Sequence, residues 1–498
     1  MSLNYNFIWL LCYLLVLVGL AGYGFHRLSI VYLYWKNRNN KPQPKARFQE
    51  LPVVTVQLPM FNEKFVVDRL LESVAALDYP QDRLEIQILD DSTDDTTEQC
   101  YRKVEELKSR GFDAVCIHRT DRTGFKAGAL EAATKVAKGE FLLILDADFV
   151  PEPDLLQKTI HFFTDENVGL VQTRWGHINR EYNLLTRIQG MYLDGHFAME
   201  QTARNRSGRF FTFNGTAGIW RKYVIGDAGG WSHDTLTEDM DLSYRVQLKG
   251  WRFIYLNDVV TPAELPVDMD GFKSQQHRWT KGSIQVCQKI LLDIWRSNAP
   301  LKAKVEATTY LLLALLCFLV YPICTQRIPE NETVFMWFVN VALFFMTSVA
   351  VCIFYMSAQI VVRPKSWWKE LPYLPLLLTL SVGMAVNNAK AVLEAIFGHQ
   401  SAFVRTPKYG VDRKEDRRHV SQLKRNGYRA IKSVVIPVLE IACGTFFLNL
   451  IIIMIRQGHY LSPILMIPFL GFYYTGFCSL GRMISNLLPA KQTAKAKN

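Results

Sequence analysis

Two pairs of aspartates carry side chains that could hold a metal ion and a phosphate group. Asp90 and Asp91 are adjacent, and Asp146 and Asp148 are separated by one residue. Carboxylates suit a hard cation such as Mg²⁺ or Mn²⁺, which can bridge phosphate oxygens and offset the charge of a departing diphosphate. We expect Asp148 to be a metal ligand. Such pairs also occur as solvated loop caps, so neither pair alone decides the function.

Further candidates lie at two predicted helix starts. Lys126 follows a turn bounded by Gly124, where backbone amides, the helix dipole and an ammonium group favour a phosphate. Glu238 and Asp239 precede a helix predicted to begin at Met240, and one of these carboxylates could take a proton from an attacking hydroxyl. The ordinary alternatives are a solvated lysine on a surface helix and an acidic helix cap.

A fourth motif, Gln275-x-x-Arg278-Trp279, combines an amide, a guanidinium and an indole. Arg278 could clamp a diphosphate, and Trp279 could stack on a sugar ring. The same residues would also suit an amphipathic helix that a tryptophan anchors at a membrane interface.

Strand-like apolar runs alternate with helical patterns in the part of the chain that carries the aspartates. Strands are predicted at 53–58, 84–89 and 141–145, and helices at 63–77, 94–110 and 124–138. This alternation predicts a doubly wound, mainly parallel sheet, whose ligands bind beyond the carboxyl ends of the strands. Because both aspartate pairs directly follow a strand, we expect them along one rim of the sheet.

Five segments are almost free of charge and long enough to cross a ~30 Å hydrocarbon layer as helices. They are residues 7–25, 307–326, 333–357, 434–455 and 460–480. Lys and Arg mark the cytoplasmic side, so the basic residues after the first segment place residue 40 onward in the cytosol. The apolar segment 371–386 contains Pro372 and Pro375 and precedes a basic run, so we interpret it as interfacial or re-entrant.

The formal net charge of +11 is concentrated beside the apolar segments, including a run at 405–432. This distribution favours a basic membrane-facing surface, and we expect no nucleic-acid partner. Most of the nine cysteines lie in or next to apolar segments and none forms a CxxC pair, so neither a disulfide framework nor a zinc site is indicated.

In this order, the four motifs resemble those of family 2 of the glycosyltransferases, the processive class that contains cellulose, chitin and hyaluronan synthases. The resemblance covers about residues 54–284. It implies an α/β catalytic domain of the GT-A type, with Asp239 as the catalytic base and Glu238 beside it.

Residues 57–63, residues 213–221 and the Gln-Gln-His-Arg-Trp form of the fourth motif are similar to plant cellulose-synthase-like mannan and glucomannan synthases. The branch that forms β-glucan backbones is the next most similar. Residues 403–408 resemble the gating loop of cellulose synthases, with Arg405 where that loop has valine. The resemblance assigns Glu63, Asp90, Asp91, Lys126, Asp146, Asp148, Gln275 and Arg278 to the donor nucleotide, Trp279, Asn214, Gly215 and Thr216 to the acceptor sugar, and Thr406 and Lys408 to the gating loop.

We therefore predict a GT-A-type α/β domain, with a mainly parallel doubly wound sheet, inserted between transmembrane helices. The predicted regions are an N-terminal transmembrane helix (1–36), a linker (37–52), the cytosolic catalytic domain (53–300), two transmembrane helices (301–358), an interfacial segment with the gating loop (359–433), two further transmembrane helices (434–481) and a basic cytosolic tail (482–498).

The predicted function is inverting transfer from a nucleotide sugar to a growing β-linked glycan, with Mg²⁺ or Mn²⁺, in the plasma or Golgi membrane. A mannan or glucomannan made from GDP-mannose is the first choice. A β-glucan synthase that uses UDP-glucose and a glycolipid transferase that adds single sugars to a membrane lipid are the alternatives. A transporter without catalysis would leave the four motifs without a purpose.

Overall fold

The computed structural model describes residues 5–312, 334–400, 405–411, 434–456 and 463–487. Several predicted features fall partly outside the described residues. They are the first residues of the N-terminal helix, of the spans at 333–357 and 460–480 and of the gating loop, the later part of the span at 307–326, and most of the basic run at 405–432 and of the basic tail at 482–498.

A seven-stranded mixed sheet forms the centre of the domain predicted to be catalytic. Its strands are β1 (Val54–Met60), β2 (Leu84–Asp90), β3 (Asp113–His118), β4 (Phe141–Ile144), β5 (Val168–His177), β6 (Gly218–Arg221) and β7 (Arg252–Ala263). The strand order is β3-β2-β1-β4-β6-β5-β7. The first four strands are mutually parallel, β5 is parallel to β7, and β6 is antiparallel to both of its neighbours. The three predicted strands and the parallel half of the sheet are confirmed, whereas β3, β5, β6 and β7 are not among the predicted strands.

Helices cover both faces of this sheet. The first face carries α2 (Val67–Ala75), α3 (Thr96–Ser109) and α5 (Leu155–Thr159), and the second carries α4 (Phe125–Val136), α8 (Lys222–Asp227) and α9 (Glu238–Leu248). In α2 the buried residues recur at helical spacing and form one apolar stripe. Each fully buried Leu or Val side chain contributes about 1.5–3 kcal/mol, so the sheet is held rigidly between two apolar layers.

The remaining helices surround the catalytic domain or extend from it. They are α1 (Tyr5–Asn37), α6 (Leu184–Asp194), α7 (Thr202–Arg206), α10 (Met269–Arg296), α11 (Leu301–Leu312), α12 (Val334–Val362), α13 (Leu374–Gly383), α14 (Ala385–Ile396), α15 (Val435–Arg456) and α16 (Pro463–Leu487). A π-helical segment, Gly195–Gln201, joins α6 to α7, and short 3₁₀ turns occupy Gln81–Arg83, Ile160–Thr164 and Trp367–Tyr373. The helix α1 packs against α12, α10 against α14, and α16 against both α13 and α15.

Two helical stretches within the described ranges are long and apolar enough to cross a membrane, judged by length and composition. They are Trp367–Ile396 and Val435–Ile453. The first stretch includes the segment interpreted above as interfacial or re-entrant. Pro375 lies in the first turn of α13, where a proline is tolerated, so the prolines do not prevent a helical stretch that continues to Ile396. The place of this stretch relative to the membrane stays a prediction.

Buried ion pairs join α1 and α11 to the catalytic domain. Arg27 of α1 pairs with Glu200, and the Nη2 atom of Arg204 lies 3.0 Å from the Oε2 atom of Glu200. The Oε1 atom of Glu306 in α11 lies 2.9 Å from Arg204 Nε and 3.1 Å from His26 Nε2. Since an unpaired buried charge costs about 3–5 kcal/mol, these side chains stabilise one another and fix both helices to the domain.

Candidate active site

One cavity at the carboxyl ends of β1, β2 and β4 collects all but two of the predicted site residues. Its lining includes Glu63, Asp91, Lys126, Asp146, Asp148, Asn214, Gly215, Glu238, Asp239, Gln275, Arg278, Trp279, Thr406 and Lys408. Parallel strands end at the same rim, and β6 begins there because it runs in the opposite direction. We call this space the donor cavity.

Asp90 and Thr216 do not line the donor cavity. The Oδ2 atom of Asp90 is buried and accepts 2.7 Å hydrogen bonds from the Thr97 hydroxyl and from His118 Nδ1. Thr216 is also buried, and its hydroxyl accepts a 2.8 Å hydrogen bond from the backbone N–H of Asp146. Both side chains thus support the residues at the rim of the cavity, and their contacts with donor and acceptor stay a prediction.

Asp91 reaches the cavity and is held there by an arginine. Arg119 donates from Nε to Asp91 Oδ1 at 2.8 Å and from Nη2 to Oδ2 at 2.6 Å. A two-point contact of this kind fixes the plane of the carboxylate. Nearby, the guanidinium of Arg122 lies 3.4 Å from the centre of the Phe61 ring, which gives the cavity a flat, cationic wall. Neither arginine is among the predicted site residues, because no motif spacing connects them to their partners.

Lys126 sits in the first turn of α4 and is tied to the Asp146-x-Asp148 loop. Its Nζ atom donates to Asp146 Oδ1 and, at 2.9 Å, to the carbonyl of Gly215. Burial lowers the pKa of Lys126, but the Asp146 and Glu238 carboxylates outweigh this effect and raise it above its ordinary value. The side chain therefore presents a full positive charge to the cavity at neutral pH.

The two acids of the third motif lie inside a helix rather than before it. Since α9 begins at Glu238 and not at Met240, the predicted start is corrected by two residues and both acids occupy the first turn. Burial, together with the neighbouring Glu238, raises the pKa of Asp239 to about 7. Asp239 Oδ1 accepts a 2.8 Å hydrogen bond from the N–H of Met240. A carboxyl group with this pKa is well placed to exchange a proton near neutral pH.

Gly215 approaches Asp239 so closely that a side chain there would press against the carboxylate. Its φ is +79°, a conformation that favours glycine, and a Cβ atom there would lie 3.0 Å from Asp239 Oδ2. The same Cβ would lie 3.5 Å from the Nζ atom of Lys126. The glycine therefore allows the acid and the lysine to face the cavity side by side.

The fourth motif lies on α10 and closes the opposite wall. Burial lowers the pKa of Arg278, and the Glu238, Asp146 and Asp239 carboxylates counteract that effect, so the guanidinium faces all three acids. Trp279 packs beside a small apolar cluster that contains Leu193. The positive charge of Arg278 thus lies close to all three acids.

A second cavity of about 420 Å³ meets the donor cavity at its base. Asp239, Asn214 and Trp279 line both spaces and form their junction. From there the second cavity extends between helices that pack beside the sheet domain, and it is lined mainly by aromatic and apolar side chains. Its lining includes Tyr23 of α1, Phe272 of α10, Tyr355 of α12 and Leu380 of α13. We call it the acceptor cavity.

Residues 405–411 lie over the mouth of the donor cavity. Arg405 pairs with Glu63 and also donates to the carbonyl of Asn62, while Lys408 pairs with Asp148. Burial raises the pKa of Glu63 to about 7, and the two basic side chains oppose that shift.

Backbone contacts hold the same segment in place. The Glu264 carboxylate at the end of β7 accepts three backbone hydrogen bonds of 2.9–3.2 Å from this segment, donated by Tyr409, Gly410 and Val411. Arg405, where the cellulose-synthase loop that this segment resembles has valine, adds an ion pair with Glu63 to these contacts.

The carboxylates of the Asp-x-Asp loop fit a divalent cation whose other ligands do not come from the described part of the protein. Asp148 is 2% exposed, accepts a 3.2 Å hydrogen bond from the N–H of Glu264, and faces the ammonium group of Lys408. The carboxylate therefore already contacts a positively charged group at this place. Among the described residues, no group of three or more His, Cys, Asp or Glu could hold a metal. Phosphate oxygens and water would complete the coordination.

Comparison with known proteins agrees with this geometry. Residues 52–282 match the family described as "Glycosyltransferase like family 2". The chain is 42% identical over 287 residues to glucomannan 4-beta-mannosyltransferase 2 of Arabidopsis thaliana, covering 54% of this chain and 53% of that protein. It is 43% identical over 260 residues to glucomannan 4-beta-mannosyltransferase 1 of Oryza sativa subsp. japonica, covering 51% and 50%. The chain thus matches about half the length of these curated relatives.

A solved structure also shares the fold. A mannosyltransferase from Pyrobaculum calidifontis, in complex with GDP-Man and Mn²⁺, aligns with a TM-score of 0.55 and 21% identity, covering 77% of this chain and 99% of that one. The GT-A-like fold with a mixed sheet and the resemblance to family 2 are therefore confirmed.

Proposed function

We propose that this chain, with its family 2 glycosyltransferase domain, is a membrane-embedded inverting enzyme that builds a β-1,4-linked mannan or glucomannan from GDP-mannose. One observation carries the proposal: a charged donor cavity and a largely apolar, aromatic cavity meet at Asp239. The names of the two plant relatives and the GDP-Man ligand of the solved mannosyltransferase support the choice of mannose and GDP.

In the proposed reaction, Asp239 takes the proton from an acceptor hydroxyl while that oxygen attacks the anomeric carbon. The attack comes from the side of the acceptor cavity, opposite to the departing diphosphate. An α-linked donor therefore gives a β-linked product. Lys126 and Arg278 bring positive charge to the rim where the diphosphate develops negative charge.

A divalent ion, Mg²⁺ or Mn²⁺, would be held by Asp146 and Asp148 and would neutralise charge on the diphosphate oxygens. Lys408 would exchange its contact with Asp148 as the donor enters. Residues 405–411 then exclude water from the donor, since Glu264 and Glu63 hold the segment over the cavity mouth.

The acceptor cavity is the proposed site of the growing chain. Trp279 lies at the junction with the donor cavity, where a sugar ring could stack on it. Helices α1, α12 and α13 contribute side chains to the wall beyond that point. The catalytic domain would face the cytosol, and the polymer would leave between the apolar helices of a plasma or Golgi membrane.

A direct test uses the full-length chain purified in detergent. It is incubated separately with labelled GDP-mannose, GDP-glucose and UDP-glucose, and the product is sized and digested with an endo-β-1,4-mannanase or an endo-β-1,4-glucanase. We expect GDP-mannose to give a polymer that the mannanase degrades. A polymer made only from UDP-glucose and cut by the glucanase would identify a β-glucan synthase. A single sugar on an extractable lipid would identify a glycolipid transferase.

A further inference from the structure

A chain of hydrogen bonds links the buried Glu200 to Asn214 at the junction of the two cavities. His196 lies in the middle of this chain: its Nδ1 atom is 3.2 Å from Glu200 Oε2, and its Nε2 atom is 3.1 Å from Asn214 Nδ2. On the other side, Asn214 Oδ1 accepts a 2.7 Å hydrogen bond from Gln201 Nε2. His196 and Gln201 belong to none of the four sequence motifs.

The Glu200 carboxylate determines which nitrogen of His196 carries the proton. Glu200 is paired with Arg27 and Arg204, so it is ionised and can only accept hydrogen bonds. The Nδ1–H group of His196 therefore donates to it. Burial and the two nearby arginines lower the pKa of His196 to about 3, so the ring carries one proton only. Consequently Nε2 has a free electron pair and accepts from the amide of Asn214.

Gln201 fixes the same amide from the other end. Its Nε2 atom also donates to the backbone carbonyl of Thr212 at 2.8 Å, and a carbonyl can only accept. The amino group of Gln201 must therefore face Asn214, which presents its Oδ1 atom to it. The contacts with His196 and with Gln201 therefore require the same orientation of the Asn214 amide, with its nitrogen toward His196. One N–H of that amide and one electron pair on Oδ1 are not used by this network.

Packing keeps the imidazole ring from turning. The ring of His196 lies parallel to Tyr310, with centroids 6.2 Å apart, and edge-on to Phe197 at 4.9 Å. Its position on the π-helical segment matters as well, because hydrogen bonds from i to i+5 widen the turn. This wider turn brings Glu200 and Gln201, four and five residues further on, to the same side.

We propose that His196 is a positioning residue for the acceptor, which it serves by locking the Asn214 amide so that one N–H points at an oxygen of the acceptor sugar. Asn214 precedes Gly215, where a Cβ atom would lie only 3.0 Å from Asp239 Oδ2, and Asn214 and Asp239 both line the junction of the two cavities. This inference rests on the proposed function, because the acceptor sugar is the ligand that the amide would hold.

Two substitutions at this position separate positioning from structure. In His196→Gln, the side-chain amide reaches the place of Nε2 and can still accept from Asn214. In His196→Asn, the amide reaches only the place of Nδ1, so the bond to Glu200 can form and the bond to Asn214 cannot. Both variants lose the aromatic ring, so a purely structural role would affect them alike.

The measurement uses the purified full-length chain with GDP-mannose and a β-1,4-linked manno-oligosaccharide. We expect His196→Asn to raise the KM for the oligosaccharide about tenfold or more, and His196→Gln to raise it less than about threefold, since a lost hydrogen bond to the acceptor lowers affinity about tenfold. The KM for GDP-mannose and the slow hydrolysis of GDP-mannose by water should stay unchanged in both variants.

Three other outcomes are informative. If the wild type does not extend the oligosaccharide at all, the proposed function fails, and this inference fails with it. If the wild type extends it and the two variants show the same acceptor KM, only the positioning role of His196 is refuted. If His196→Asn does not fold, Gln201→Glu tests the same amide from its other end, because a carboxylate cannot donate to Asn214; an unchanged acceptor KM there would refute the inference.

Discussion

Replacing Asp239 by asparagine removes the proposed base and changes little else. The amide has nearly the volume of the carboxyl group, and its Oδ1 atom can keep the 2.8 Å hydrogen bond from the N–H of Met240. In the wild type, burial and Glu238 raise the pKa of Asp239 to about 7, so the ionised form is disfavoured by its surroundings. A neutral amide avoids that cost. We therefore expect the free energy of unfolding of the variant to equal that of the wild type below about pH 4. It should exceed the wild-type value increasingly between about pH 4 and 7, because the unfolded aspartate ionises there while the folded one keeps its proton.

The catalytic effect should be large by contrast. General-base catalysis contributes about 10²–10⁴ in rate, which corresponds to roughly 2.7–5.5 kcal/mol of activation free energy. The base must be ionised to act, so wild-type turnover should rise with pH up to about 7 and fall about tenfold per pH unit below it. Asp239→Asn should lack this acidic limb, and its affinity for GDP should remain within about a factor of two.

Initial rates between pH 5 and 9 and calorimetric titration with GDP measure both quantities. Glu238→Gln is the matched comparison, since it removes the neighbouring acid from the same helical turn. If Asp239→Asn kept near-normal turnover and its acidic limb, Asp239 would not be the base. Glu238 would then become the candidate.

Three further predictions concern the metal, the glycine and the membrane topology. Asp148→Asn should weaken metal-dependent donor binding and excess EDTA should abolish activity; turnover that persists in EDTA would remove the metal from the mechanism. Gly215→Ala should lower turnover at least about tenfold, because the new methyl group displaces Asp239. Gly250→Ala is its control, since Gly250 has a similar φ of +94° but open space around it, and an equal loss in both variants would refute the steric explanation. A cysteine at position 331, outside the described residues, should react only with a reagent added from the non-cytosolic side; cytosolic labelling would overturn the five-span topology.

Local patterns were sufficient to predict the strands that carry the acids, but not the direction of each side chain. Asp90 and Asp91 are adjacent and chemically identical, yet one accepts hydrogen bonds from His118 and Thr97 inside the domain and the other faces the donor cavity. Consecutive residues at the end of a strand point to opposite faces, and the register that decides which one points inward depends on the whole sheet. A single sequence motif does not contain that information.

The second half of the sheet depends on contacts that are distant in sequence. β6 has only four residues and pairs with β4 and β5 in the antiparallel direction. The alternation of strands and helices in the sequence therefore does not predict it. His196 was missed for a similar reason. Its partner Asn214 is eighteen residues away, and the π-helical turn that aligns it with Glu200 has no distinctive composition.

The ion pairs around Glu200 also limit how this protein can be shortened. A truncated chain that begins at the linker, near residue 40, would lack Arg27 and His26, the partners that α1 supplies to Glu200 and Glu306. Arg204 would still contact both carboxylates, but its single positive charge would then face two buried carboxylates. A buried charge that loses its partner costs up to about 3–5 kcal/mol, a large part of the roughly 5–15 kcal/mol that holds a domain folded. The first helix is thus a structural part of the enzyme, and the soluble fragment that the domain boundaries suggest would be poorly folded at the end where the acceptor cavity opens.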